Sequence, residues 1–361
     1  MGEKYSDLEK LKNETLNCTM CGFCKNVCPV FLDVGWDTGS PRGRMTMAYG
    51  LITGELEPDD DLVNRIFQCT QCRDCWRRCP GKTKCPDVVL AARRELVRRG
   101  KTSASQMAVM QNIRNTGNIF ADLEVEFPIQ EGDAPLFIGC QHLSRTNSTK
   151  KNIRLLQSLG VSPRIVREVC CGFPLEVMGF EEEREKQVEK LKEAFPVNDN
   201  TILTFCPGCK VHLEKIFGRE VRHVLQEINE RLAPDKIAKP VNAKITYHDP
   251  CDLSRGAKTT KEPREILKKI GCEIIEMKHV KESSRCCGGG GGILTWDAAM
   301  SDRLGLARME EAIATGAEML VTACPTCEQS LKKSARAAAD KSGAKPMPVY
   351  HIMDLLFRAV R

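Results

Sequence analysis

Cysteine is the residue whose number and spacing point to chemistry in this chain. Of the 20 cysteines, eight lie in two runs of one form, Cys-x2-Cys-x2-Cys-x3-Cys-Pro. The first run holds Cys18, Cys21, Cys24 and Cys28, and the second holds Cys69, Cys72, Cys75 and Cys79. Spacers of two residues allow one tight loop to direct three thiolates at a common centre. The pattern therefore predicts metal binding near the start of the chain.

Both runs have the spacing of bacterial ferredoxins, in which three cysteines hold one [4Fe–4S] cube and the fourth crosses to the other cube. This rule assigns one cube to Cys18, Cys21, Cys24 and Cys79, and the other to Cys69, Cys72, Cys75 and Cys28. Zinc is the alternative, but it favours paired Cys-x2-Cys knuckles. The third cysteine of each run, the final Cys-Pro and the duplication favour iron–sulfur clusters. Cys85 lies outside the pattern, and we interpret it as a spare buried thiol.

The residues between the two runs predict helices. Residues 40–57 and 60–68 have helical patterns, the first with Ser40 as its N-cap and Pro41 in its first turn. We therefore expect residues 1–120 to form an α-helical, ferredoxin-like domain with two [4Fe–4S] clusters. Residues 121–135 are acidic and interrupted by proline, which predicts a linker.

Beyond the linker the chain repeats itself. Each half contains a single cysteine, an adjacent cysteine pair and a Cys-Pro-x-Cys motif, in the same order. We take residues 136–235 and 236–361 as the two repeated domains. Their cysteines are Cys140, Cys170, Cys171, Cys206 and Cys209 in the first, and Cys251, Cys286, Cys287, Cys324 and Cys327 in the second.

Each half alternates short β-branched segments with helical ones. Residues 202–205 and 319–323 predict buried strands, and helices are predicted at residues 181–195, 262–270 and 297–316. Such alternation implies parallel sheets covered by helices, with ligands bound beyond the carboxyl ends of the strands. We therefore expect an α+β protein: a helical domain, then two α/β domains related by a pseudo-two-fold axis. Each α/β domain gathers five cysteines at one end of its sheet.

The composition is that of a globular protein with two or three domains. No segment approaches 18 apolar residues, and the first residues lack an apolar signal core. We expect a cytoplasmic location, where cysteines stay reduced. Any contact with the inner face of the membrane is expected to go through a partner subunit. The net charge of +6 counts cysteines as neutral, and clusters of about −2 each offset it. No nucleic-acid partner is therefore predicted.

Three segments of the second half resemble a known family. YHDPCDLSR (247–255), CCGGGGG (286–292) and TACPTC (322–327) resemble the duplicated cysteine-rich CCG domain of the catalytic subunit of heterodisulfide reductase. The N-terminal part resembles the small ferredoxin-like subunit of that enzyme, and the whole chain resembles the fused, D-type subunit. The resemblance implies that each five-cysteine set holds a noncubane [4Fe–4S] cluster and that a disulfide is cleaved between the two clusters.

The resemblance also assigns residues by position. It implies that one noncubane cluster is bound by catalytic cysteines of the first half: Cys140, Cys170, Cys171, Cys206 and Cys209. The other cluster is bound by those of the second half: Cys251, Cys286, Cys287, Cys324 and Cys327. Two features depart from the family pattern. The first cysteine pair is followed by Gly-Phe-Pro (172–174) instead of a glycine run. Asp252 stands where relatives often have a histidine, which puts a proton-donor role at that position in doubt.

Glycines and histidines near these cysteines suggest further roles. Glycines 288–292 lack Cβ atoms, so we expect backbone N–H groups to approach the sulfurs and substrate or partner to arrive from this side. His142 and His248 flank cluster cysteines and are candidates for delivering protons to a departing thiolate. His223 and His351 occupy equivalent places in the repeat, which predicts packing beside the sheet.

The leading hypothesis is an iron–sulfur oxidoreductase that passes electrons from two cubane to two noncubane clusters. These reduce a small-molecule disulfide of the coenzyme M–coenzyme B type, or oxidise the thiols. The alternative is an electron-relay subunit of an anaerobic dehydrogenase, a quinone-linked complex or a benzoyl-CoA reductase-type complex, without disulfide chemistry of its own. A zinc-stabilised scaffold is a third class. Either redox function requires an electron-donor partner: a flavin subunit, a membrane cytochrome b or a ferredoxin.

Overall fold

The computed structural model of the chain describes residues 6–121, 127, 130–166, 168–195 and 201–360. Within these residues the N-terminal part is helical, and two parallel sheets flanked by helices follow it. This arrangement confirms the predicted fold class. Residues 122–126, 128 and 129 of the predicted linker at 121–135 lie outside the described residues, and the limits of the domains stay predictions.

Eight helices precede the first strand in the described part of the chain. They are α1 (Ser6–Glu9), α2 (Lys12–Leu16), α3 (Pro29–Val34), α4 (Pro41–Thr53), α5 (Asp60–Phe67), α6 (Asp74–Arg78), α7 (Cys85–Arg98) and α8 (Ala104–Thr116). Helix α4 begins where predicted, because the Ser40 hydroxyl accepts the N–H of Gly43 at 2.9 Å and Pro41 fills the first helical position. Helices α5 and α7 bury Ile66 and Val88 in the core of this domain.

Each half contains a four-stranded parallel sheet. The strands are β1 (Ala134–Phe137), β2 (Pro163–Arg164), β3 (Ile202–Thr204) and β4 (Val221–His223), then β5 (Lys244–His248), β6 (Glu273–Ile274), β7 (Met319–Thr322) and β8 (Val349–His351). The strand orders are β2-β1-β3-β4 and β6-β5-β7-β8, and every pairing within the two sheets is parallel. The two halves, which repeat the same cysteine motifs, therefore also have the same strand order.

Helices connect these strands, as parallel pairing requires. They are α9 (Cys140–Leu143), α10 (Thr146–Ser158), α11 (Phe173–Met178), α12 (Glu181–Ala194), α13 (Pro207–Phe217), α14 (Val224–Arg231), α15 (Glu262–Lys269), α16 (Ile293–Trp296), α17 (Ala298–Ile313), α18 (Pro325–Ser342) and α19 (Ile352–Ala359). A π-helical turn spans Asp252–Gly256. Among the described residues, none of the helices has the length and apolarity needed to span a membrane.

One hydrophobic core joins the two halves. Its buried residues include Leu136 and Leu203 of the first sheet and Ile245 and Val321 of the second. Helix α10 packs against α19, and α14 packs against α15. Each half therefore contributes equivalent helices to the interface, as a pseudo-two-fold relation requires.

His223 and His351 have equivalent structural roles, as predicted. Each is the last residue of its strand and caps the helix that follows. Nδ1 of His223 accepts the N–H of Leu225, and Nδ1 of His351 accepts the N–H of Met353, both at 3.3 Å. Both rings are buried, so these histidines stabilise the turn between strand and helix.

Replacing Ile245 by alanine should destabilise both halves together. Ile245 is fully buried in the shared core, and removing such a side chain costs about 2–5 kcal/mol of unfolding free energy. Ile313→Ala is the matched control, because Ile313 is 44% exposed at the end of α17. Anaerobic urea unfolding followed by circular dichroism measures both variants. Two separate unfolding transitions, of which Ile245→Ala shifts only one, would contradict a shared core.

Candidate metal centres

The five cysteines of the second half lie together at the carboxyl ends of β5 and β7. The Sγ atoms of Cys287 and Cys327 are 3.3 Å apart, and Cys324 lies within hydrogen-bonding reach of Cys327. Cys251 and Cys286 are in electrostatic contact with Cys287. The structure therefore brings all five predicted residues of this set into one place.

The cysteines of the first half converge in the same manner. The Sγ atoms of Cys171 and Cys209 are 3.6 Å apart. Cys140 lies within hydrogen-bonding reach of Cys170, and Cys206 within reach of Cys209. Both halves thus bring their five thiols together, although the residues between the cysteine motifs differ in the two halves.

The elements around the strands explain the convergence. Cys206 and Cys324 follow β3 and β7 and are the N-caps of α13 and α18, each with proline at the next position. Cys140 is the first residue of α9, and Cys251 precedes the π-helical turn. Cys171 lies farther from its strand than these four cysteines do, because residues 165–170 separate it from β2.

The chemistry of these donor sets fits iron–sulfur clusters. All twenty cysteines are free thiols, so the short sulfur–sulfur distances are not disulfides. Backbone N–H groups point at three of the sulfurs: Gly172 at Cys170 (3.5 Å), Gly288 at Cys286 (3.4 Å) and Gly289 at Cys287 (3.4 Å). Soft thiolate donors with amide N–H groups around them are the surroundings that iron–sulfur clusters use.

His248 lies against the second set, as its position in the sequence predicts. A ring nitrogen of His248 and the Sγ atoms of Cys287 and Cys327 lie within 4.8 Å of one another. Arg308 donates from Nε to His248 Nδ1 at 3.0 Å. The ring hydrogen is therefore left on Nε2, from which it can donate to Cys287. Burial lowers the pKa of His248, which favours this neutral form.

Arg308 and His212 are site residues that the sequence analysis did not identify. Arg308 is 60 residues from His248 in the chain, and no local pattern links the two. His212 is buried, in electrostatic contact with Cys170, and its Nδ1 lies 2.6 Å from Oε2 of Glu176. A signal for His212 did exist, since it follows Cys209 by three residues on α13 and shares its helix face.

His142 lies at the boundary between the halves. Its ring centroid is 5.2 Å from that of Phe205 and 5.7 Å from that of His351. Its Nε2 is buried and has no hydrogen-bond partner within the described ranges. Burial lowers the pKa of His142. The two candidate proton donors thus differ, because His248 faces thiols and His142 faces the other half.

The two N-terminal runs interleave. One cavity is lined by thiols from both runs and from the start of α7: Cys28, Cys69, Cys72, Cys75 and Cys85. The segment after Cys79 returns toward the first run, where the Thr83 hydroxyl donates to the carbonyl oxygen of Asn17 at 3.5 Å. This is the crossing expected of a two-cluster ferredoxin, while the assignment of each ligand stays a prediction.

Arg44 supports a cluster in this cavity. The side chain is 1% exposed and its Nε donates to the carbonyl oxygen of Arg65 at 2.8 Å. Its Nη2, however, has no hydrogen-bond partner in the part of the chain that the structure describes. A buried donor left unpaired costs about 1–3 kcal/mol. The sulfur atoms of an iron–sulfur cluster supply acceptors for it, so the residues fit such a group.

Arg255 joins the N-terminal domain to the second half. Its side chain is 3% exposed. Its Nε donates to the carbonyl oxygen of Cys72 at 2.6 Å, and its Nη1 donates to the carbonyl oxygens of Glu282 at 2.8 Å and Ser284 at 2.7 Å. The guanidinium is also in electrostatic contact with Cys72 and Cys251. It therefore lies between the second N-terminal run and the second five-cysteine set.

The glycine run at 288–292 packs against the N-terminal domain. A Cβ on Gly291 would lie 2.2 Å from the backbone carbonyl of Thr70. Nη1 of Arg93 donates to the carbonyl oxygen of Gly291 at 2.7 Å, and Trp296 just beyond the run stacks on Phe67 at 4.3 Å. The chain's own N-terminal domain therefore occupies the Gly291 end of the run, whereas Gly290 faces open space. The approach of substrate or partner from this side stays a prediction.

Family comparisons match three segments that together contain both N-terminal runs and both five-cysteine sets. A family model described as a cysteine-rich domain, CCG, matches residues 134–214 and again residues 245–332. A model described as a 4Fe-4S dicluster domain matches residues 14–83. These segments contain all eighteen cysteines of the two runs and the two five-cysteine sets.

Curated relatives include components of several redox enzymes. The chain is 30% identical to the B subunit of the fumarate reductase (CoM/CoB) of Methanothermobacter marburgensis, over 98% of this chain and 73% of that protein. It is 29% identical to the D subunit of the dihydromethanophenazine:CoB–CoM heterodisulfide reductase of Methanosarcina barkeri, over 87% of each. It is 25% identical to the EtfAB:quinone oxidoreductase of Syntrophomonas wolfei, over 95% of this chain and 58% of that protein.

Replacing Gly291 by alanine should weaken the attachment of the N-terminal domain. Gly291 has a φ of 65°, which costs a non-glycine residue about 1–3 kcal/mol, and the new Cβ meets Thr70. The neighbouring Gly290→Ala is the control, since a Cβ there meets nothing within 4 Å. Anaerobic urea unfolding and limited proteolysis compare the two. Similar stability and similar cleavage in both variants would show that the glycine run does not hold the domains together.

Proposed function

Because the chain belongs to the family of CCG-domain iron–sulfur oxidoreductases that includes the D subunit of heterodisulfide reductase, we propose that it exchanges electrons with a small-molecule disulfide. Two cubane clusters in the N-terminal domain connect to two noncubane clusters in the CCG domains. When bound, the noncubane clusters would supply the electrons that reduce the disulfide, or take up those released when the thiols are oxidised. The observation that carries the proposal is the completeness of both five-cysteine sets, with sulfur–sulfur distances of 3.6 Å between Cys171 and Cys209 and 3.3 Å between Cys287 and Cys327.

Electrons reach the second CCG domain first in this scheme. The contact made by Arg255 supports the order, because it joins the Cys72 carbonyl to the surroundings of Cys251. A guanidinium at this point also offsets part of the repulsion between two anionic clusters. The electron donor then docks on the N-terminal domain, as a partner subunit whose chemistry is a flavin, a haem or another iron–sulfur cluster.

The disulfide is proposed to lie at the boundary between the two CCG domains, which has two sides. On one side Asp252 lies beside Gly208 of the Cys-Pro-Gly-Cys motif, and Arg73 of the N-terminal domain covers it, 3.5 Å from the Asp252 carboxylate. On the other side a polar cleft of about 600 Å³ is open. Cavities of this size suit small ligands.

The open cleft is lined by residues that neighbour both cysteine sets in the chain and, within the described residues, by none of the ten cysteines. Its walls include His142, two residues after Cys140, and Glu328, the residue after Cys327. Arg145 of the first domain spans the boundary, since it pairs with Glu328 and donates to the carbonyl oxygen of Pro325 at 3.1 Å. We therefore assign substrate access to this cleft.

The residues beside each set hold hydrogen atoms at defined positions. When bound, the two clusters supply the electrons that cleavage of a sulfur–sulfur bond requires. His248 donates from Nε2 to Cys287, and Arg308 keeps the ring in that tautomer. In the first domain Glu176 orients His212 toward the cysteine pair. Hydrogen bonds to cluster sulfurs raise the reduction potential, so these residues tune the two sites separately.

The experiment is to mix the anaerobically reduced protein with the coenzyme M–coenzyme B heterodisulfide. Reoxidation of the clusters, followed by absorbance and electron paramagnetic resonance, is expected together with two thiols released per disulfide. Cys327→Ala should abolish the reaction because it removes a proposed ligand. Cys272→Ala, a buried cysteine in the shared core, should react like the unsubstituted chain.

An electron-relay function is the second candidate, and the relative described as an EtfAB:quinone oxidoreductase favours it. A relay would be reoxidised by a quinone and would not react with the heterodisulfide. That outcome would indicate that the chain transfers electrons between partner subunits and has no disulfide chemistry of its own. It would not contradict the proposed four clusters.

A further inference from the structure

The cavity of the second N-terminal run contains one thiol more than a cubane cluster needs. Four of its thiols are the predicted ligands Cys28, Cys69, Cys72 and Cys75, and the fifth is Cys85. A [4Fe–4S] cube takes four cysteines. The role of the fifth thiol is therefore open.

The position of Cys85 is fixed by the fold. It is the first residue of α7, with Pro86 next to it, and only 5% of it is exposed. Its Sγ lies 3.4 Å from the carbonyl oxygen of Pro41, to which the thiol can donate. The start of α7 therefore holds Cys85 against the cavity.

Cys75 is the predicted ligand that Cys85 approaches within hydrogen-bonding reach. The two thiols differ in burial, since Cys75 is half-buried and Cys85 is buried. A half-buried ligand is more accessible to oxidants and competing metals. The buried thiol beside it is protected from both.

We propose that Cys85 is an alternate ligand for the iron that Cys75 holds. In the exchange the bond from iron to the Cys75 sulfur breaks and a bond to the Cys85 sulfur forms. The proton of the Cys85 thiol moves to the Cys75 sulfur, and no oxidation state changes. The cluster thus keeps four thiolates and the same charge when Cys75 is lost.

The other extra cysteine of the chain has no such place. Cys272 precedes β6 and lies in the shared core of the CCG domains. Burial raises its pKa to about 11, as expected of an inert thiol. It serves as the matched control, being equally buried at 5% exposure.

The test measures iron per chain and the electron paramagnetic resonance spectrum of the reduced, anaerobically purified protein. Cys75→Ala should keep the iron content of the unsubstituted chain, with shifted g values, because Cys85 replaces the missing ligand. Cys75→Ala/Cys85→Ala should lose about four irons, one cluster. Cys75→Ala/Cys272→Ala also carries two substitutions and should lose none.

Two further variants make the result specific. Cys85→Ala alone should keep all its iron, since Cys75 is then the ligand. Cys24→Ala, the third position of the first run, should lose about four irons although Cys85 is present. Loss of a cluster from Cys75→Ala alone would overturn the proposal, as would a full iron content in Cys75→Ala/Cys85→Ala. Because each comparison is a difference from the unsubstituted chain, it is independent of the total number of clusters and of disulfide activity.

Discussion

The relative positions of the cysteine sets depend on buried cations that join the domains, among them Arg255. Its hydrogen bonds go to a carbonyl group of the N-terminal domain and to two carbonyl groups of the second CCG domain. Buried carbonyls without partners are costly, so the guanidinium fixes the two backbones with respect to each other. Cys72 and Cys251 lie on either side of it. The contact that attaches the domains therefore also sets the separation between the proposed clusters.

The N-terminal domain makes a symmetric pair of CCG domains asymmetric. Both have the same strand order and share one core, yet the N-terminal domain covers only one side of their boundary. The N-terminal domain contacts both CCG domains: Thr70 meets Gly291 of the glycine run in the second, and Met110 and Ile113 of α8 pack into a core of the first. The segment of the first domain equivalent to the glycine run has Phe173, which packs against that core. The two cysteine pairs are thus followed by residues that meet different parts of the N-terminal domain.

Features encoded by neighbouring residues could be predicted from the sequence. The cap at Ser40, the strand before Cys206 and the five-cysteine sets depend on patterns a few residues long or on a repeat. Contacts between distant residues could not be predicted. Arg255 is 183 residues from Cys72, and nothing near either one indicates the pair. The glycine run is the clearest example of this limit of sequence-based prediction. Its missing side chains predicted that another group comes close, but nothing in the run indicated that this group is Thr70.

The proposed electron path requires that all four cysteine groups hold clusters at once. The direct measurement is iron and acid-labile sulfide per chain in anaerobically purified protein, with electron paramagnetic resonance of the reduced and oxidised forms. Four [4Fe–4S] clusters predict about sixteen irons per chain, and signals in addition to those of the two N-terminal cubes. A content near eight irons, with only ferredoxin-type signals, would contradict it, because the CCG sets would then hold no clusters.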